Sequence, residues 1–127
     1  MSDASGRLAK KLKAVRRGRL AELFCLWHLR LRGWRIVARD YRVPSGEIDL
    51  IARRGNVLIV IEVKARPTAA EASEAISHHQ RRRIARATEH FLARHPQLAD
   101  LTLRFDVMLV VPGRLPRHLP NAWRIDD

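Results

Sequence analysis

Cysteine and long apolar runs are scarce in this sequence. Cys25 is the only cysteine, so an internal disulfide framework is excluded, and no cysteine and histidine spacing is typical of a structural zinc site. The longest apolar runs, Val57–Ile61 and Val107–Val111, have the length of strands, whereas a membrane-spanning helix needs about 20 apolar residues. We therefore expect a cytoplasmic protein that does not enter the membrane.

Acidic residues are also scarce, with 13 Asp and Glu against 25 Lys and Arg, which leaves a net charge of +12. Because that excess is far larger than solubility requires, a polyanion is the expected partner. The sequence has no helix-turn-helix, no zinc finger and no paired aromatic platform, so we expect structure-specific or non-specific recognition of nucleic acid rather than readout of base sequence.

The length of 127 residues leaves room for one hydrophobic core. We expect a basic N-terminal arm over residues 1–16 and a single domain over residues 17–127. Hydrophobic periodicity predicts an α/β fold with the order helix-strand-strand-strand-helix-strand. The predicted elements are Arg17–Arg32, Trp34–Val43, Glu47–Ala52, Val57–Lys64, a helix after Pro67 that ends near His95, and Leu101–Val111. The tail after Gly113 is predicted to be mostly loop.

The first helix is apolar on two opposite faces. One face carries Leu20, Leu23, Phe24, Trp27 and Leu31, and the other carries Cys25, Leu26 and Leu29 together with Glu22. We therefore expect both faces to be covered by the rest of the protein, with Trp27 and Trp34 in the core. Trp123 is expected to cover an edge of the core.

Four charged residues lie on the predicted hairpin of the second and third strands. If Gly55-Asn56 forms the loop, Asp49 lies opposite Glu62 and Glu47 lies opposite Lys64. If Arg54-Gly55 forms it, the pairs slip by two and all four side chains still share one face. Carboxylates about 5–8 Å apart repel each other, and a divalent cation such as Mg²⁺ or Mn²⁺ relieves that repulsion.

The chemistry of these residue types favours phosphodiester hydrolysis. Asp49 and Glu62 would bind the cation, and Lys64 would stabilise charge or orient water. Glu47 would support these residues without binding the cation itself. The competing interpretation is a solvated sheet face with an ordinary Glu–Lys pair. For Glu22 the competing interpretation is an exposed helix residue or an ion pair with arginine.

These residues also resemble a known family. Asp49 followed by Glu62-Val63-Lys64 resembles the PD-(D/E)xK signature of restriction-endonuclease-like nucleases. The segments Gly46–Ala52, Ile61–Arg66 and Arg104–Val107 resemble the YraN-type family of small bacterial proteins, over about Gly18 to Trp123. That family is similar in fold to the archaeal Holliday-junction resolvases.

The resemblance implies a restriction-endonuclease-like fold, in which helices flank a central mixed sheet with an antiparallel hairpin. It also implies Glu22 as a further metal ligand, a DNA substrate that is branched or structured, and a homodimer by analogy with the resolvases. The sequence departs from the family at Asp40, where Asn is usual, and at His79-Gln80, where Lys is usual. Gln80 matches the start of a Gln-x-x-x-Tyr motif of some related exonucleases, but Ile84 replaces the tyrosine.

Arginines at the start of the first predicted helix, near the hairpin and on the second predicted helix are candidates for phosphate contacts. They are Arg17, Arg19, Arg53, Arg66, Arg81, Arg82, Arg83 and Arg86. DNA is favoured over RNA as the partner. The alternative functions are a non-catalytic nucleic-acid-binding protein that keeps the nuclease-like fold, and an RNA- or ribosome-associated protein.

Overall fold

The computed structural model describes residues 2–72 and 76–125, apart from the side chains of residues 2, 3, 13–17 and 72. The elements in chain order are α1 (Ser2–Leu31), β1 (Arg35–Val43), β2 (Gly46–Arg54), β3 (Val57–Ala65), α2 (Ala69–Ala72), α3 (His78–Arg94), a 3₁₀ turn (Pro96–Leu98), β4 (Thr102–Val110) and β5 (Arg117–Trp123). In this part of the chain, no helix has both the length and the apolar character needed to cross a membrane.

The five strands form one mixed sheet in the order β1-β2-β3-β4-β5. Only β3 and β4 are parallel, since α3 connects them, and the other neighbours are antiparallel. Helices lie on both faces of the sheet, α1 against one and α3 against the other. The α/β fold and its element order are therefore confirmed.

The tail differs from its prediction, because residues 117–123 form β5 rather than loop. This segment contains Pro120 and lacks alternating apolar residues, so periodicity does not reveal it. A proline is tolerated there because β5 is the edge strand of the sheet. Trp123 at its end is buried and stacks on Phe105 of β4, as expected for a residue that covers the core.

Helix α1 differs from its prediction in two ways. It begins at Ser2 rather than near Arg17, because the predicted basic arm consists mostly of good helix formers. Its face with Ala21, Cys25, Leu26 and Leu29 is buried against the sheet, but the face with Trp27 is exposed. The prediction that both faces are covered is therefore wrong, and so is the placement of Trp27 in the core. Trp34 is buried as predicted.

The buried carboxylate of Asp106 on β4 accepts hydrogen bonds that hold β5 against β4. This carboxylate accepts two hydrogen bonds from the Arg104 guanidinium, at 2.9 and 2.8 Å, one from His118 Nε2 at 2.6 Å and one from the Asn121 N–H at 2.9 Å. Burial raises the pKa of Asp106, but the hydrogen bonds from His118, Arg104 and Asn121 outweigh it and hold the pKa below its ordinary value. His118 therefore has a structural role at the β4–β5 pair.

Gly46 allows α3 to approach the start of β2. A Cβ atom at this position would lie 1.8 Å from the carbonyl oxygen of Arg83. We expect Gly46→Ala to lower the free energy of unfolding by about 1–3 kcal/mol, since the backbone of α3 must move away. Urea unfolding measures the change. The control is Gly18→Ala on α1, where no atom lies within 4 Å of the added methyl group; it should be neutral or slightly stabilising. Equal effects of both variants would contradict the close approach.

Candidate metal-binding carboxylate site

The hairpin of β2 and β3 has the register predicted for a Gly55-Asn56 loop. Arg54 pairs with Val57 and Leu50 pairs with Ile61. The ladder ends at that second pair, because Asp49 Oδ2 then accepts the Val63 N–H at 2.7 Å. The side chain of Asp49 thus replaces a backbone acceptor at the point where the two strands separate.

The alternation of β2 also changes at Asp49. Ile48 packs with the core on the α3 side, whereas Leu50 packs with the core on the α1 side. In a regular strand, residues two apart face the same way. Asp49 therefore lies where the strand changes face, at the edge of both cores, and this position lets a residue of α1 reach it.

Three carboxyl groups meet at this position. Those of Glu22 on α1 and Glu62 on β3 each form a hydrogen bond with the carboxyl group of Asp49. Burial and the Asp49 charge raise the pKa of Glu62 to about 9 and that of Glu22 to about 7. The pKa of Asp49 is raised by burial as well, although the Val63 N–H opposes this. When Glu22 and Glu62 are protonated they can donate to the Asp49 carboxylate, and the structure brings these three predicted metal ligands together.

A fourth carboxylate, that of Asp40, was not predicted to lie at this site. It lies on β1 between the pairs Arg39↔Leu50 and Tyr41↔Ile48, and is therefore opposite Asp49. Its charge raises the pKa values of both Glu22 and Asp49. Asp40 has φ of 47°, in the left-handed region that Asn and Asp tolerate best. Asp and Asn both adopt that conformation readily.

Lys64 is buried beside Glu62, whereas Glu47 pairs with an arginine of α3. Lys64 follows Glu62 on the same face of β3 and is only 6% exposed. Glu47 was predicted to lie opposite Lys64, but its carboxylate accepts hydrogen bonds from the Arg83 guanidinium of α3, at 2.7 and 3.4 Å. The hydrogen bond from Arg83 lowers the pKa of Glu47. Glu47 therefore positions α3 beside the site, and its charge still raises the pKa of Glu62.

The predicted phosphate-binding arginines lie in several places. Arg83 is bound to Glu47, and Arg66 is close enough to Glu62 for its charge to lower that pKa. A shallow cavity of about 230 Å³ on α3 is lined partly by Arg81, Arg82 and Arg86. Glu89 and Ile125 line the same cavity, and the Arg81 guanidinium carbon lies 6.0 Å from the centroid of the Trp123 ring of β5.

Three predicted residues are not brought to the site. Arg53 lies at the hairpin loop, where it donates to the carbonyl oxygen of Gly55, about 13 Å along β2 from Asp49. Arg19 is exposed on α1, and Gln80 is exposed in the first turn of α3, where Ser77 Oγ caps its N–H. The side chain of Arg17 lies outside the described residues, so its role stays a prediction.

Stability should depend on pH because these carboxyl groups titrate differently in the folded and unfolded chains. Glu62 and Glu22 bind protons in the folded protein at pH values where an unfolded glutamate is ionised. In metal-free buffer we therefore expect the free energy of unfolding to fall as pH rises from about 5 to about 9. Urea unfolding at several pH values measures this slope. Glu62→Gln should flatten it, and identical slopes would contradict the raised pKa.

The donor set of the site suits a hard divalent cation that also needs other ligands. Mg²⁺ prefers oxygen ligands, usually one or two carboxylates with waters and phosphate oxygens. Within residues 2–72 and 76–125, no three His, Cys, Asp or Glu side chains are positioned to hold a metal ion by themselves. The crowded carboxyl groups nevertheless bind protons where a cation would offset their repulsion. The residues therefore fit an open site that is completed by water and substrate.

Comparison with known proteins confirms the resemblance found in the sequence. The model of uncharacterised protein family UPF0102, the YraN family, matches residues 21–110. The chain is 53% identical over 119 residues to a UPF0102 protein of Parvibaculum lavamentivorans, which covers 94% of this chain and 90% of that protein. It is 51% identical over 118 residues to one of Paramagnetospirillum magneticum, covering 89% and 91%, and 45% identical over 126 residues to one of Methylocella silvestris, covering 99% and 98%. Since both the family model and these relatives span most of the chain, it belongs to uncharacterised protein family UPF0102.

Proposed function

We propose that the protein is a metal-dependent endonuclease that hydrolyses phosphodiester bonds of DNA, with branched or otherwise structured DNA as the preferred substrate. The observation that carries this proposal is the carboxyl cluster of Glu22, Asp49 and Glu62 with buried Lys64 beside it. A purely structural role gives no reason to crowd three carboxyl groups in the half-buried region where β2 and β3 separate, because burying charge without a partner is costly.

Each residue of this cluster has a separate task in the proposed reaction. Asp49 and Glu62 would hold Mg²⁺ or Mn²⁺, and Glu22 would extend the site from α1. When bound, the cation supplies Lewis acidity at the phosphoryl oxygen and a lower pKa for water. The ammonium group of Lys64 would donate hydrogen bonds to the oxygen that gains charge as the phosphodiester is attacked. Its burial keeps competing water away from that ammonium group.

Substrate binding would fall to the arginines of α3 and of the segment after β3. Arg83 is bound to Glu47 and the charge of Arg66 acts on Glu62, whereas Arg81, Arg82 and Arg86 line a cavity of α3. Because such contacts release counterions from the phosphate backbone, affinity should fall steeply as salt concentration rises. Arginines in these positions would contact phosphates rather than base edges, as recognition of DNA structure requires.

A second candidate function is binding of nucleic acid without cleavage. One observation favours it: no three ligand side chains are positioned to hold a metal ion by themselves in the described part of the chain. In that case protonation of Glu22 and Glu62 would leave one negative charge, on Asp49, and the cluster would have only a structural role.

Calorimetric titration with Mn²⁺ in metal-free buffer tests the proposed function without a guess at the substrate. We expect binding by the wild type and none by Asp49→Ala combined with Glu62→Ala, with protons released as the metal enters. The titration is repeated with a DNA oligonucleotide, since substrate oxygens can complete the metal's coordination. Metal-dependent cutting is then sought on duplex, single-stranded, flap and four-way-junction DNA. No metal binding with or without DNA, together with no cutting, would favour the second candidate.

A further inference from the structure

Helix α1 carries an apolar surface that the other residues described by the structure do not cover. We call it the outer face of α1 and define it by Leu20, Leu23, Phe24, Trp27 and Leu31. Their exposed fractions are 55%, 38%, 56%, 53% and 82%. These residues repeat at spacings of three and four, so they form one stripe on the side opposite the buried Cys25 and Leu29. A contiguous exposed stripe of this kind marks an interaction site rather than ordinary surface.

The stripe continues into a concave groove. The α1–loop groove has a volume of about 650 Å³ and lies between α1, at Phe24, His28, Leu31 and Arg32, and residues 113–116. Leu115 on the opposite wall is 81% exposed. A groove with two apolar walls accepts individual side chains of a helix or peptide. A flat bilayer surface would leave its floor unfilled.

The border of this surface is cationic. Arg32, Arg114 and His28 line the α1–loop groove, whose lining residues include no carboxylate. Arg30 lies over the Trp27 ring, with its guanidinium carbon 5.1 Å from the ring centroid. A ligand that covers the apolar stripe will therefore place its own flanking groups against arginines, and complementarity requires those groups to be acidic.

The same charges disfavour a second copy of the chain as the occupant. In a two-fold symmetric pair the outer face of α1 would meet itself, with the two helices either antiparallel or parallel. In either orientation the arginine at each end of the stripe, Arg19 or Arg32, would approach an arginine of the other copy. Cations would face cations between two molecules of net charge +12, and like charges across an interface oppose association.

We propose that the outer face of α1 and the α1–loop groove bind an acidic amphipathic segment of another protein. Apolar side chains at helical spacing on that segment would pack on Phe24, Trp27 and Leu31. Its flanking carboxylates would pair with Arg30, Arg32 and Arg114. This inference does not depend on the proposed nuclease activity, because Glu22 projects from the opposite side of α1 toward Asp49.

A labelled synthetic helical peptide of about 18 residues serves as the probe, with leucine at helical spacing and glutamate elsewhere. Fluorescence anisotropy measures its binding to the wild-type protein. Two further peptides are compared, one with lysine in place of glutamate and one with the leucines scrambled. Because Trp34 and Trp123 are buried, a blue shift of tryptophan emission reports on Trp27.

Two protein variants locate the binding. Phe24→Ser combined with Leu31→Ser alters exposed residues of the outer face of α1, so the fold should persist. Leu8→Ser is the matched control, since Leu8 is an exposed leucine of the same helix (58%) that falls on another side of it at about 100° per residue. We expect the double variant and the lysine peptide each to weaken binding by at least about ten-fold, whereas Leu8→Ser should leave it unchanged.

Four results would overturn the proposal. The first is that no peptide binds, and the second is that the glutamate and lysine peptides bind equally well. The third is a Trp27 blue shift with vesicles of phosphatidylglycerol and phosphatidylcholine in the absence of peptide binding, which would assign the surface to a membrane. The fourth is concentration-dependent dimerisation in sedimentation that the double variant abolishes, which would assign it to a second copy.

Discussion

Replacing Asp49 by asparagine is expected to reduce metal-dependent cleavage of DNA by at least about 100-fold while leaving DNA affinity within about two-fold. The amide oxygen of asparagine can still accept the Val63 N–H that ends the β2–β3 ladder. The hairpin therefore keeps its shape, and only the negative charge at the meeting point of the carboxyl groups is lost. Initial cleavage rates and electrophoretic mobility shifts on the same substrate measure the two quantities.

Variants of Lys64 and Glu71 are measured in the same experiment, the first as a second test of the site and the second as a control. Lys64→Ala should lower cleavage by about 100-fold or more without abolishing metal binding, because it removes a donor for the developing charge. Glu71→Gln is the matched control: it removes a carboxylate from the exposed surface of α2 and should leave the rate unchanged. Full activity in Asp49→Asn and Lys64→Ala would exclude the proposed site. Binding that is independent of metal, with no cleavage in the wild type, would support the non-catalytic alternative.

Removing the buried carboxylate of Asp106 is expected to lower the free energy of unfolding by about 3–5 kcal/mol. Asp106→Ala would leave Arg104, His118 and the Asn121 N–H without their common acceptor. The penalty is large because Asp106 is wholly buried, so no water replaces the lost carboxylate. β5 should also detach from β4 in part, since two of these four hydrogen bonds, those from His118 and Asn121, join the two strands.

Urea unfolding compares Asp106→Ala with Asp100→Ala, an exposed aspartate in the turn before β4. The control should change stability by no more than about 0.5 kcal/mol. Hydrogen exchange would show whether the loss concentrates in β5. A similar small change in both variants would mean that the hydrogen bonds of Asp106 contribute little to the free energy of unfolding.

The hairpin and its site could be predicted because local rules determine them. A Gly-Asn loop specifies the β2–β3 register, and that register brings Asp49 opposite Glu62 without any knowledge of the remaining fold. The position of Glu22 follows from the helical projection of α1 together with the family resemblance. What the sequence could not show is that Asp49 ends the ladder through Val63, since this depends on where the strands separate in space.

Other features depend on contacts between distant segments. β5 has no periodic signal, and it is a strand because β4 and the Asp106 cluster hold it there. Asp40 reaches the site only through the pairing of β1 with β2. The exposure of Trp27 was mispredicted because an apolar face has the same sequence pattern whether it packs against the protein's own core or against a partner.

The order of the strands also bears on how the chain folds. Three of the four neighbouring strand pairs join strands that follow each other directly in the chain. Only β3 and β4 are separated by helices, so their parallel pairing requires α3 to connect them across the sheet. Loop closure is least costly for the nearest segments, so the β2–β3 hairpin should form early and the parallel pair late. The carboxyl groups of Asp49 and Glu62 would then be brought together before the arginines of α3 arrive. In a nascent chain on the ribosome, the acidic half of the site would thus form while its cationic half is still inside the exit tunnel.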